Sequence, residues 1–266
     1  MDPATTAASG APSPATGSSA RPSRPTGRRN GSGSSKAHRR RLARTRRLFA
    51  YDRSLGHRWV AGADEAGRGS LAGPLVAAGV LIDYETLTLS DRRLLAGLHD
   101  SKQMTAERRL ELYPAVIRAA ARVSVVVRCP RGIDGRGLHV TNVEALSTAL
   151  IRLRPEGAIC LVDGFRLPPC PLSHRAVVEG DGTSAAIAAA SVIAKVTRDR
   201  YMERAAEAYP DWGFDENVGY STPEHRDAIA RHGISALHRR SFQSVAYHQL
   251  ELDGRDPDDI ALDLAG

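Results

Sequence analysis

At 266 residues the chain can hold one large domain or two small ones around a buried core, and 37 Lys and Arg against 30 Asp and Glu give it a formal charge of +7. That charge is uneven: residues 1–49 carry eleven cationic residues and one acid, Asp2, which leaves the remainder at −3. A uniformly basic nucleic-acid coat is therefore excluded for the folded part, and any basic track there must be local. The longest uncharged apolar run, residues 73–82, is too short to span a bilayer. The first fifty residues lack the apolar segment of a secretory signal. They share the Arg-rich, Ser-rich, acid-poor composition of an organellar transit peptide, but their Pro and Gly oppose an amphipathic helix. Cys129, Cys160 and Cys170 are odd in number and lack the paired spacing of a zinc site, so they read as packing residues in a reducing compartment. Only three of the cationic residues are Lys, a bias expected of a GC-rich bacterial genome, and with the cysteine usage this gives a cytoplasmic location as the expectation.

In chain order, residues 1–48 are rich in Pro, Gly, Ser and Arg and are predicted to be a disordered basic tail, with a short helix over 39–49. The folded domain is predicted to occupy 49–266. A first strand is expected over 59–64 and a second over 75–82, separated by a glycine-rich turn. A helix over 105–121 should be kinked or broken by Pro114. The β-branched run 123–128 reads as a strand. Residues 142–153 read as a helix capped by Thr141 or Asn142, and 158–163 as a short strand ending on a carboxylate. A further strand is expected over 175–179, a long Ala-rich helix over 184–209, and a shorter helix over 223–232 capped by Ser221 or Thr222. Strands alternating with helices imply an α/β domain with its function at strand ends.

Three segments share one pattern, an apolar strand or turn that delivers an acid with a glycine close behind. They are Asp64-Glu65 before Ala66-Gly67, Asp163 before Gly164, and Asp181 between Gly180 and Gly182. Adjacent carboxylates repel each other and are costly to bury unless a cation or hydrogen-bond donors compensate. Four such groups suit Mg²⁺ or Mn²⁺, hard ions that prefer oxygen ligands, and two ions can support in-line cleavage of a phosphodiester. Neighbouring strand residues face opposite ways, so Asp64 and Glu65 are expected to converge only if the strand ends or bulges there. Bland readings stand beside these. The first segment also reads as a turn with solvated charges, and Asp163 and Asp181 also read as turn residues. Arg68, flanked by Gly67 and Gly69, can reach an anion from a backbone that turns sharply. Lys102 and Lys195, the two lysines outside the tail, suggest positions that need a compact ammonium.

Seven ordered motifs then resemble ribonuclease HII, from about residue 59 to 242. They are Asp64-Glu65-Ala66-Gly67-Arg68-Gly69 with Gly73-Pro74; Asp100-Ser101-Lys102; Val162-Asp163-Gly164; Gly180-Asp181; the run 188–196 with Arg198-Asp199; Gly219-Tyr220 followed by His225; and His238-Arg239-Arg240-Ser241-Phe242. The resemblance implies a ribonuclease-H-like mixed sheet flanked by helices, with a small helical C-terminal portion. It implies cleavage of the RNA strand of RNA–DNA hybrids and incision at single ribonucleotides in duplex DNA; with the Mn²⁺ or Mg²⁺ that the carboxylates suit, nothing in the sequence demands more than a monomer. Asp64, Glu65, Asp163 and Asp181 correspond to the metal-binding catalytic carboxylates. Gly67, Arg68 and Gly69 match the loop that senses the 2′-hydroxyl, and Tyr220 the tyrosine that stacks on the adjoining deoxyribose; such a loop suits RNA recognition, because the 2′-hydroxyl is what distinguishes RNA from DNA. Lys102 and Lys195 read as phosphate contacts, with neutralisation of a carboxylate an alternative for Lys195. Asp199 lies about five helical turns beyond Asp181 and reads as structural. Val218 and Ser221 depart from the family pattern around Gly219-Tyr220. Residues 1–49 are too short and polar for the folded N-terminal domain of ribonuclease HIII. Two other classes compete: another nuclease or integrase of the same fold, which has no use for a junction loop, and a non-catalytic hybrid-binding module, in which clustered carboxylates would only repel phosphate.

Overall fold

The computed structural model describes residues 32–99, 104–168 and 170–242. The apolar runs become five strands: β1 (Trp59–Ala66), β2 (Leu75–Asp83), β3 (Arg122–Arg128), β4 (Ile159–Asp163) and β5 (His174–Val177). They form one mixed sheet in the order β3-β2-β1-β4-β5. The first three strands pair antiparallel, while β4 runs parallel to β1 and β5 parallel to β4. Every position of β2 is buried, as expected of a strand covered on both faces.

Alternation along β1 and β2 sorts the core into two layers. Val60, Ala66, Val76, Ala78, Val80 and Ile82 face the helices α1 (Ser32–Ser54), α3 (Ala106–Ala119) and α6 (Ala185–Ala208). Ala61, Ala63, Leu75, Ala77 and Leu81 face α5 (Leu138–Arg152) through Leu146 and Leu150, with Leu153 just past its end. The small residues of α6 let it lie directly on β1. A side chain at Gly62 would overlap the backbone of Ala186 and Ile187, so only glycine permits this approach. A third cluster of Ala72, Met202 and Phe214 joins the small C-terminal helices α7 (Phe214–Asn217) and α8 (Pro223–His232) to the far end of α6. The short α2 (Leu89–Leu94) and α4 (Pro130–Arg136), not foreseen from the sequence, complete the helices. Among the described residues no helix is long and apolar enough to cross a membrane.

The N-terminal boundary needs correction. Instead of a disordered tail to residue 48 with a short helix over 39–49, a helix runs from Ser32 to Ser54 and enters the fold. The Thr45 hydroxyl donates to the Leu98 carbonyl and accepts from the Gly97 N–H, and Leu48 and Phe49 are buried. Buried Asp52 accepts from the Tyr84 hydroxyl at 2.7 Å and from the Ala186 N–H at 3.0 Å. Thr45, Leu48, Phe49 and Asp52 recur at three- and four-residue spacing, one face of a helix that is otherwise rich in Arg. Residues 1–31, and with them most of the predicted tail, lie outside the described residues, as does the predicted phosphate contact Lys102.

Other boundaries shift for local reasons. Helix α3 continues through Pro114 because Leu112, Ala115 and Val116 pack against the sheet on either side of it. Helix α5 starts four residues before Asn142, with Gly137 at φ 82° at the turn, so Thr141 and Asn142 are buried within the helix instead of capping it. Strand β5 begins one residue earlier than expected and stops at Val177, and Glu179 is left-handed at φ 51°. Helix α8 is capped by Thr222, whose hydroxyl accepts from the His225 N–H.

Candidate active site

The sheet delivers its acids where β1 and β4 end side by side. Their parallel pairing stops at Ala63 and Val162, and Asp64 and Asp163 are the next residues on each strand. Strand β1 neither ends nor bulges at Asp64-Glu65, which keep regular pairing with Ala78 and Ala77 of β2, so the condition set for their convergence is not met. Period-two alternation therefore sends Asp64 to the α6 face and Glu65 to the α5 face, and proximity at the end of the ladder keeps their charges coupled. Asp163 shares the α6 side with Leu161. Asp181 sits in the single 3₁₀ turn Gly180–Gly182 that leads into α6, and both Asp64 and Asp181 are buried. The first turn of α6 is capped by Ser184, which accepts from Ile187, and by Asp52, which accepts from Ala186.

Asp64 carries the electrostatic signature of the site. Burial first, then the charges of Glu65, Asp163 and Asp181, hold its carboxyl well above the usual carboxylate range, with a Ser191 hydrogen bond opposing the shift. Two of the acids accept from nearby backbone: Asp64 Oδ1 from the Glu65 N–H and Asp163 Oδ1 from the Gly180 N–H, both at 2.7 Å. Among the described residues no three such side chains meet at ion-binding range in these positions. The donor set nonetheless fits a hard divalent cation, being all carboxylate, partly buried and mutually repelling.

The Gly67-Arg68-Gly69 loop leaves the same strand end. Gly67, at φ 86°, is held by the fold, since a Cβ there would overlap the Arg198 side chain and come within 2.7 Å of the Pro74 carbonyl oxygen. Gly69 is exposed with open space around it. Arg68 is exposed, its guanidinium 5.5 Å from the Phe165 ring centroid.

Two fully buried arginines brace this loop, a role the sequence reading did not assign them. Arg198 donates to the carbonyls of Pro74, Ala72 and Val218 and to the Ser70 hydroxyl, at 2.8–2.9 Å. Arg239 donates to the carbonyls of Gly73 and Arg68. Burial lowers both guanidinium pKa values, that of Arg239 to about 9. The signal for Arg198 lay in its spacing from Ile187, Ser191 and Ala194, all on the buried face of α6.

Tyr220 is half-buried beside this brace, with Lys195 Nζ 4.9 Å and Arg198 Cζ 5.1 Å from its ring centroid. Lys195 also pairs with Asp199 at 2.7 Å, and Arg109 of α3 reaches the same carboxylate at 3.5 Å. Asp199 thus ties α3 to α6, the structural part read for it from the sequence.

Residues 61–245 match the family model for ribonuclease HII. The chain belongs to the ribonuclease HII family. The ribonuclease HII of Rhizobium johnstonii is 46% identical over 202 residues, which cover 75% of this chain and 84% of that protein. Among solved structures, the ribonuclease HII of Archaeoglobus fulgidus, determined in complex with PCNA, aligns at 32% identity and a TM-score of 0.61 over 75% of this chain and 98% of that one. Ribonuclease H2 of Pyrococcus horikoshii aligns at 29% identity and a TM-score of 0.59, over 74% and 100% of the two chains. Ribonuclease HII enzymes cleave the RNA of RNA–DNA hybrids, and this chain is a metal-dependent ribonuclease H. The carboxylates, the glycine loop and Tyr220 all fall within the matched span.

Proposed function

We propose that this enzyme, besides cutting the RNA strand of hybrids, incises duplex DNA at single embedded ribonucleotides, with Asp64, Glu65, Asp163 and Asp181 as its catalytic metal ligands. These four residues would hold two Mn²⁺ or Mg²⁺ ions, which when bound would supply the water activation and charge stabilisation that phosphodiester hydrolysis needs. The observation that carries the ligand assignment is geometric: Asp64 and Asp163 are the next residues where the β1–β4 pairing stops, and Asp64 and Asp181, the latter in the turn that leads into α6, are both buried. A folded protein keeps such a cluster where a cation relieves the repulsion.

Recognition of the junction falls to the adjoining residues. The backbone of Gly67, Arg68 and Gly69 reads the 2′-hydroxyl, the feature that distinguishes RNA from DNA at one nucleotide. Tyr220 packs on the neighbouring deoxyribose. Support comes from the shared brace, since Arg198 holds both the 70–74 segment and the Val218 carbonyl two residues before Tyr220. Arg68, Lys195 and Lys102 contact phosphates; the ammonium of Lys195 is already oriented by Asp199. The proposal includes a cytoplasmic monomer. Its test is cleavage of a duplex carrying one ribonucleotide beside an all-DNA control: incision of the first only, abolished by EDTA, is expected, and cleavage of the control overturns the junction assignment.

A further inference from the structure

Behind Tyr220 lie two buried histidines, His225 on α8 and His238 beyond it. Their Nε2 atoms are 3.1 Å apart. At the outer end of the pair, His238 Nδ1 accepts from the Ser235 N–H at 2.9 Å, so a neutral His238 carries its proton on Nε2. That proton points at His225 Nε2, which must accept it. His225 then carries its own proton on Nδ1, which lies 2.8 Å from the Tyr220 carbonyl oxygen. One assignment of protons satisfies every contact in the line. Burial pushes both imidazoles down, His238 to about 4, so both are neutral near pH 7. Phe214 and Trp212 pack around the pair.

The segment that receives this line needs an anchor. Val218 is left-handed at φ 43°, an unfavourable conformation for a β-branched residue, and Gly219 follows at φ 81°. The Tyr220 carbonyl is held from two sides, by the Thr222 N–H and by His225. The outer end of the line belongs to the strand segment that grips the glycine loop: His238 pairs with Ala72, and the Arg239 N–H donates to the Leu71 carbonyl.

We propose that His225 and His238 are positioning residues, a relay of fixed tautomers running from Ser235 to the Tyr220 carbonyl that sets the Tyr220 ring against the substrate and locks it in register with the Gly67-Arg68-Gly69 loop. The inference rests on the assignment of Tyr220 as the junction reader.

The test compares single-turnover rates of the full chain on a duplex with one embedded ribonucleotide and on a continuous RNA–DNA hybrid, for wild type, H225L, H225N and Y220A. Leu removes the donor to Tyr220, whereas Asn offers its Nδ2 near the place of the imidazole Nδ1. H225L should lower the embedded-to-hybrid rate ratio about tenfold, the effect of losing one buried hydrogen bond, and H225N should restore most of it. Equal losses on both substrates, or no rescue by Asn, overturn the relay. If Y220A leaves the ratio unchanged, the Tyr220 assignment itself fails; if Y220A changes the ratio and H225L does not, the relay alone fails. Independently of any variant, ¹⁵N NMR of the wild type at pH 7 should show neutral rings with the proton on Nδ1 of His225 and on Nε2 of His238. The opposite tautomers, or a charged ring, refute it.

Discussion

Replacing Asp64 by Asn should abolish turnover and, in EDTA, make the protein more stable. The side chain is 5% exposed and shares the end of the β1–β4 pair with Glu65, Asp163 and Asp181. Because its folded-state pKa is raised, the ionised carboxylate opposes folding at neutral pH, and that penalty is relieved as pH falls through the raised value. Asn has the same shape and can still accept from the Glu65 N–H, but it carries no charge. Removing an active-site conflict of this kind commonly returns about 0.5–2 kcal/mol. For a domain of this size that corresponds to a rise in Tm of roughly 1–8 °C. Metal reverses the order: at a hundred times its Kd an ion adds about 2.7 kcal/mol to a protein that binds it only when folded, and the variant should lose most of that gain. Calorimetry of both proteins in EDTA and in saturating Mn²⁺, with single-turnover cleavage alongside, measures all three effects. A variant no more stable than wild type in EDTA, or one that keeps the metal-induced shift and its activity, would show that Asp64 is not the centre of a cation site.

The remaining predictions probe the frame around that site. Deleting 1–48 removes Thr45 and buried Leu48 and should cost several kcal/mol more than deleting 1–31, at about 2–5 kcal/mol for the leucine alone; equal melting of the two truncations would refute the anchoring of α1. Gly67→Ala should destabilise the protein by about 1 kcal/mol or more through its left-handed backbone and overlap with Arg198, while Gly69→Ala should melt like wild type, so that any rate loss in the second variant reports on substrate. His238, with its pKa depressed from 6.5 to about 4, stabilises the fold above about pH 6.5 and loses that contribution as pH falls toward 4, because the unfolded chain takes up the proton first. Denaturant titrations should therefore show wild type losing about 3 kcal/mol more than H238Q across that window, and parallel pH profiles would contradict the neutral pair.

The site was legible in the sequence to the extent that chemistry overrode folding preference. Asp64-Glu65 between apolar residues and glycines makes little sense as packing, so charge cost pointed to that pair, whereas Asp163 and Asp181 read equally as turn residues until the family motifs set them beside it. The long α6 and the central strands were equally plain from Ala-rich and β-branched runs. Residues whose roles arise only from tertiary contact stayed hidden. Asp52 looks like any surface acid until Tyr84 and Ala186 arrive from distant segments to use it. Arg198 and Arg239 are two among many arginines, and only the fold shows that they fill their bonds with loop carbonyls. The anchored face of α1 was masked by the arginines between its few apolar residues, and the meeting of Asp64 with Asp163 depends on β4 pairing alongside β1, which no local pattern announces.

The most direct measurement is single-turnover cleavage of a DNA duplex containing one ribonucleotide, in Mn²⁺ or Mg²⁺, with the cut phosphate mapped. The structure predicts one incision, at the phosphate of the ribonucleotide junction, lost in EDTA and in Asp64→Asn, with the matching all-DNA duplex intact. Cleavage that persists in either of those conditions, or that falls equally on the all-DNA duplex, would contradict a metal-dependent reader of the 2′-hydroxyl at this strand end.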